Sequence, residues 1–246
     1  MKPEPSLAGV ASMGALFGCS SGEPSSVAMA AIGEGGAQGG SAAMVPKYVF
    51  LFIGDGMSYP QIQATAYCNG AQQRGEESTI ERVSFMDFPV IGSQYTYDST
   101  SFCPDSASTA TSIASGRKTA SGVINVSPDA SERFETIAEK LKRQLGYKVG
   151  VLTSVNLNHA TPAAFYAHQQ SRKNYCEIGQ ELIASGFDYF AGGGLLNRKS
   201  GVDFSTCAHS GLTVPVFALG AGAEVFDGFY DNTEIYAKLA ALTGVA

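Results

Sequence analysis

Three short apolar runs constrain the fold of this chain most: YVFLFIGDGM at 48–57, KVGVLTSV at 148–155 and VPVFALG at 214–220. Each is too short for an ordinary helix, and each stops at glycine or polar residues. They read as buried strands. VIGSQYTYD and FDYFAGGG add two further strand-like segments. Between them lie stretches with helical composition or spacing: PQIQATAYCNGA, SERFETIAEKLKRQLG, TPAAFYAHQ, NYCEIGQELIASG and TEIYAKLAALTG. Strands that alternate with helices predict an α/β fold with a mainly parallel central sheet and helices on both faces. In such sheets ligands collect at the carboxyl ends of the strands. Asp55, the region around Ser106 and the segment from His159 all fall there.

The length, 246 residues, suits one large α/β domain or two small ones. The formal charge of -6 and the lack of any basic stripe exclude nucleic acid as a specific partner. The five cysteines are widely spaced with no CxxC pair, so a structural zinc knuckle is not expected. Residues 1–19 carry Lys2, an apolar run and then Cys19, the pattern of a bacterial export signal. Leu16-Phe17-Gly18-Cys19 resembles a lipoprotein processing box, which would place a lipid anchor on Cys19. The plainer alternative is a poorly ordered N-terminus. Residues 20–45 are dominated by Gly, Ala and Ser and read as a flexible linker. The folded domain is expected over 46–246.

Several residues could carry chemistry, and each also has an ordinary structural role. Asp55 sits between Gly54 and Gly56 at a strand end, where a carboxylate suits a cation or simply caps its own turn. Ser106 lies in CPDSASTATSIASGRKTASG, a run of hydroxyls after Pro104-Asp105. If a helix starts there, its free N–H groups favour an anion beside the hydroxyl. The plain reading is a capping serine. His159 and Thr161 follow a strand and could ligate a metal. Arg172, eleven residues past Thr161, has the guanidinium fork that suits a phosphate. His168 reads as a structural histidine within a helix. His209, just before the last apolar run, is by default a surface histidine.

Taken together these motifs resemble those of the alkaline phosphatases. The likeness runs from about Lys47 to Asn197 and resumes from about Ala208 to Val245. IGDGM is similar to the family's first metal-ligand motif, PDSASTATSIASGRKT to its nucleophile motif, and NHATPAAFYAHQQSR to its magnesium and phosphate-binding segment. HSGLTVPVFALG is similar to the start of its C-terminal end. The resemblance implies hydrolysis of small phosphate monoesters through a phosphoserine on Ser106. It implies Arg172 as the phosphate clamp, with zinc (Zn2+) and magnesium (Mg2+) as cofactors. It further implies Asp55, Ser106, His159, Thr161 and His209 at the metals, an exported or periplasmic location, and a homodimer.

The chain also departs from the family pattern. Family members are far longer and carry a DxxxH pair, a DH pair and a magnesium-site Glu in their middle. Here GGGLLNRKS runs through GVDFST into CAHSG, and neither pair occurs. The chain reads as internally shortened near 198–207. The main alternative to an active phosphomonoesterase is therefore an inactive remnant that keeps the fold and a weak metal or phosphate cleft. A sulfatase or phosphodiesterase relative is a third.

Overall fold

A computed structural model of the chain describes residues 15–19, 45–74, 78–192 and 211–245. The expected linker up to residue 44, the join near 198–207 and His209 lie outside the described residues. The chain forms two compact units, each assembled from two separate stretches.

The first unit takes Met1–Gln94 and Thr213–Tyr230. Strand β1 is Ala15–Cys19, β2 is Val49–Ile53 and β3 is Val90–Tyr95. Helix α1, Tyr59–Arg74, follows β2. Two late strands, called β6 (Val214–Leu219) and β7 (Gly228–Asp231) in chain order, complete a five-stranded sheet in the order β2-β1-β6-β3-β7. β1 runs parallel to β6, but β1–β2 and β3–β6 are antiparallel. The sheet is thus mixed, not mainly parallel as the pattern suggests. Alternation of apolar runs and helices reports local structure, whereas pairing direction is set by contacts far apart in sequence. β1 also falls inside the segment that reads as an export signal, with Cys19 opposite Val49. The core of this unit gathers Ile62, Phe85 and Phe217, with the two phenyl rings 5.2 Å apart.

The second unit takes Tyr95–Leu212 and Asp231–Ala246. It contains α2 (Ser106–Ser115), α3 (Ile137–Leu145), β4 (Gly150–Thr153), α4 (Ala160–Ala163), α5 (Tyr175–Ala184), β5 (Tyr189–Gly192) and α6 (Glu234–Thr243). β4 and β5 pair in parallel. The core is built from small residues of α2 and α4 packed with Ile124, Tyr166 and Ile178. α3 starts at Ile137, later than the spacing from Phe134 suggests, because Thr136 and Glu139 form a reciprocal capping box. Gly146 ends it in the left-handed conformation, as its sequence predicts. α4 is short: the helical reading of TPAAFYAHQ holds only to Ala163, so His168 lies beyond the helix. Among the described residues, no helix is long and apolar enough to cross a membrane.

Lys118 fastens the C-terminal part of this unit. Its Nζ donates to the Tyr97 carbonyl at 2.6 Å and to Asn232 Oδ1 at 2.7 Å, and pairs with Asp231 at 3.1 Å. The strip from Asp231 into α6 is thereby tied to the loop after β3.

Candidate functional site

The hydroxyl-rich run is a buried helix, and its hydroxyls explain how it can be one. Thr109 Oγ1 donates to the Asp105 carbonyl, Ser112 Oγ to Ser108 and Ser115 Oγ to Thr111, each one turn back. Every residue from Ala107 to Ser115 is buried. Small side chains whose polar atoms bond one turn back or, for Ser108 and Thr111, to the segments packed beside the helix allow this close packing. Gly116 ends the helix at φ +71, and a Cβ there would stand 2.9 Å from the Tyr236 ring.

Asp105 fixes where the helix begins. It is extended, and its Oδ1 accepts from the Ser108 N–H at 3.0 Å, an N-cap. Ser106 is therefore the first helical residue, half-buried at the positive end of the helix. Asp105 Oδ2 accepts from Arg172 Nη1 at 2.8 Å. Burial alone would raise the Asp105 carboxyl. The Ser108 and Gly122 amides, Arg172 and the Ser108 hydroxyl outweigh it and hold the group below its ordinary value.

Arg172 is placed by its backbone as well. Ile124 and Gln169 exchange N–H···O bonds of 2.8 Å, and the Arg172 N–H donates to the Gly122 carbonyl at 2.7 Å. These bonds bring the segment after α4 against the loop after α2. Asn125, fully buried, holds the other side by donating to the Ala164 and Ala167 carbonyls.

His159 is the N-cap residue of α4, and its Nε2 lies 3.4 Å from Arg172 Nη2. A guanidinium can only donate, so a hydrogen bond across this contact would run from Arg172 to Nε2. Thr161 stands half-buried one residue further into α4 than Ala160. The second unit thus brings together Ser106, Asp105, Arg172 and His159, with Thr161 on the same short helix as His159. Asp55 belongs to the first unit, exposed in the turn after β2, where Gly56 adopts φ +73.

Two residues of this region have no assigned role in the sequence reading. Asp105 is one, and its signal was the Asp-Ser order of a helix start. Asp98 is the other. It is 4% exposed and collects hydrogen bonds from Thr100, Ser101, Ser108 and Ser121. DSTS at 98–101 has the form of an Asx turn, which gives a turn and not a site.

The described residues alone do not complete a zinc site, and His209, an expected ligand, lies outside them. A catalytic zinc takes three protein ligands. Among the described residues no three of His, Cys, Asp or Glu converge on one point. His159 Nε2 lies beside the Arg172 guanidinium, whose charge disfavours a second cation at that nitrogen.

A family model described as alkaline phosphatase matches residues 46–187. Alkaline phosphatase 4 of Drosophila melanogaster is 33% identical over 194 residues, covering 74% of this chain and 32% of that protein. The tissue-nonspecific alkaline phosphatase of Homo sapiens is 35% identical over 156 residues, covering 58% of this chain and 29% of its own. The chain therefore spans about a third of the length of these curated relatives. Among solved structures, the alkaline phosphatase of the Antarctic bacterium TAB5 aligns with a TM-score of 0.63 at 18% identity, over 78% of this chain and 96% of that one. A variant of that enzyme with magnesium in its M3 site aligns with a TM-score of 0.64 at 19% identity, over 78% of this chain and 96% of that one. At such identity these two likenesses concern the fold alone.

Proposed function

Because this chain belongs to the alkaline phosphatase family, we propose that it binds phosphate monoesters at the N-terminus of α2 and transfers their phosphoryl group to Ser106. The observation that carries this reading is the Asp105–Arg172 ion pair, which fixes a guanidinium one residue from the serine. The two contacts to Asp105 and His159 use only part of the five donors of a guanidinium, so others can take phosphoryl oxygens. Helix-end N–H groups and Arg172 supply positive potential where charge spreads in the transition state. Ser106 Oγ forms the new bond to phosphorus as the ester P–O bond breaks, and the serine proton leaves with the alcohol. Water then cleaves the phosphoserine, which splits one hard displacement into two easier ones. Zinc and magnesium are the family's cofactors, but no step is assigned to either, since the donors among the described residues do not complete a zinc site. Export, a lipid anchor at Cys19 and a homodimer belong to the same proposal.

The lack of a DxxxH pair and of an Asp-His dipeptide in the sequence supports a second reading, a member that keeps the fold and a weak metal or phosphate cleft without turning phosphate esters over. An aryl phosphate assay with added Zn2+ and Mg2+ separates the two. Turnover that disappears in Ser106→Ala supports the first reading. Absence of turnover together with measurable binding of inorganic phosphate supports the second. Turnover that survives Ser106→Ala rules out the assigned nucleophile.

A further inference from the structure

We propose that Asp98 is the positioning residue that holds Arg172 and Asp105 in phosphate-binding geometry, acting through Ser108 on one side and Ser121-Gly122 on the other. This inference rests on the proposed phosphate site.

The two routes from Asp98 use different oxygens and different chain segments. Asp98 Oδ1 accepts from the Thr100 N–H at 2.7 Å, the Thr100 hydroxyl at 2.8 Å and the Ser101 N–H at 2.7 Å. These bonds close the turn on itself and fix the carboxylate plane. Oδ2 is left to face outward from the turn. It accepts from Ser108 Oγ at 2.8 Å and from Ser121 Oγ.

Ser108 stands on the first route. Its hydroxyl also lies 2.9 Å from Asp105 Oδ1. A serine has one proton to donate. The Ser108 hydroxyl thus stands between the two carboxylates, with the Asp105 carbonyl 3.2 Å away as a third acceptor. The other oxygen of Asp105 is the one that meets Arg172. Asp98 therefore bears on which way the Asp105 carboxylate turns, and so on the guanidinium it holds.

Ser121 stands on the second route. Its hydroxyl is bound by Asp98 and its N–H donates to the Thr100 hydroxyl at 3.2 Å. The next residue, Gly122, donates its N–H to the Asp105 carboxylate and accepts from the Arg172 N–H at 2.7 Å. Gly122 has φ +82, a conformation open to glycine and strained for other residues. One residue thus touches both members of the ion pair through its backbone, and Asp98 anchors the residue before it.

Burial would by itself raise the Asp98 carboxyl, but the donors from Ser121, Thr100 and Ser108 more than offset this and keep it ionised. A neutral amide at this position could not accept all of these bonds.

The test uses the full chain with Asp98→Asn, the milder Ser121→Ala and Arg172→Ala, all checked for folding by circular dichroism. The first measurement is amide hydrogen exchange. Loss of protection at the Gly122 and Arg172 amides, with the amides of Ile113 and Ala114 unchanged, is expected for both Asp98→Asn and Ser121→Ala. The second is calorimetry with inorganic phosphate. Asp98→Asn should weaken binding roughly tenfold, the scale of one charge-assisted hydrogen bond. In the Arg172→Ala background it should change affinity by less than about twofold, since its effect runs through Arg172. If Asp98→Asn is equally costly with and without Arg172, or if exchange at Gly122 and Arg172 is unchanged in a folded variant, the positioning role is overturned. If the unaltered chain binds no phosphate, the proposed function fails and the exchange measurement alone decides the role of Asp98. If Asp98→Asn does not fold, Ser121→Ala decides it by the same two criteria.

Discussion

Arg172 and Asp105, 67 residues apart in sequence, form a half-buried ion pair with Nη1 2.8 Å from Oδ2. The carboxylate caps α2 with one oxygen and holds the arginine with the other. A single residue thereby sets both the helix start and the cation beside it. These two duties separate under mutation.

Asp105→Asn keeps a side chain that caps helices as well as Asp does, so α2 should lose only a few tenths of a kcal/mol, about 0.5 at most. The arginine loses its counter-charge, and phosphate affinity should fall about tenfold. Arg172→Ala should reduce it further, by about a hundredfold. Paired thermal melts and phosphate calorimetry check both. Equal affinity in Asp105→Asn and the unaltered chain would show that the ion pair does not orient Arg172.

Ser106→Ala removes the hydroxyl proposed to accept the phosphoryl group. Aryl phosphate turnover should drop by at least about a thousandfold, the scale seen when a nucleophile is deleted. Stability should move by less than about 0.5 kcal/mol, since the residue is half-buried and Ala is a good helix former. Trapping of labelled phosphate on the protein at acid pH should succeed in the unaltered chain and fail in the variant.

His168 is expected to make the stability of the fold depend on pH above about 6.5. It lies 3.4 Å from both Glu139 and Glu181, one on α3 and one on α5. Burial lowers its pKa and Arg133 opposes its charge, but the two glutamates prevail and the net shift is upward. A raised value means that protonation stabilises the fold. That contribution is fully present below about pH 6.5, the unfolded value, and is lost as pH rises through the higher folded value. Urea midpoints measured from pH 6 to 8.5 should fall along this window. In His168→Gln the slope assigned to this residue should disappear; an unchanged slope would refute it.

Thr136→Ala removes a capping box and a bond to the Phe165 carbonyl of 3.0 Å from a fully buried site. A loss of about 1–2 kcal/mol is expected. Thr136→Ser should recover most of it. A melt of Thr136→Ala that matches the unaltered chain would mean that α3 does not depend on its cap.

The legible parts of this protein are those whose causes are local. The ends of α3 follow from Thr136, Glu139 and Gly146, and the start of α2 from Asp105. The strand at VPVFALG was plain because the run is apolar throughout, and Val214–Ala218 is indeed buried. What stayed hidden depends on distant partners. Nothing near Val90 says that β3 pairs antiparallel with β6. Nothing near Asp98 says that Ser121 will reach it, since an Asx turn looks the same whether its second oxygen meets water or protein. His168 could be read as structural, but the two glutamates that hold it lie 29 residues before and 13 residues after it.

The division of each unit between two separated stretches has a consequence for how the protein comes into being. Synthesis delivers residues in order, and domains tend to fold as units while the chain emerges. Here the first unit lacks β6 until residue 219 exists, and β6 lies between β1 and β3. The second lacks α6, and Lys118 lacks Asn232 across a separation of 114 residues. Neither half can finish first. Synthesis must reach residue 219 before the first unit's sheet can close and residue 232 before Lys118 meets Asn232, so the strands made earlier emerge with open edges until then.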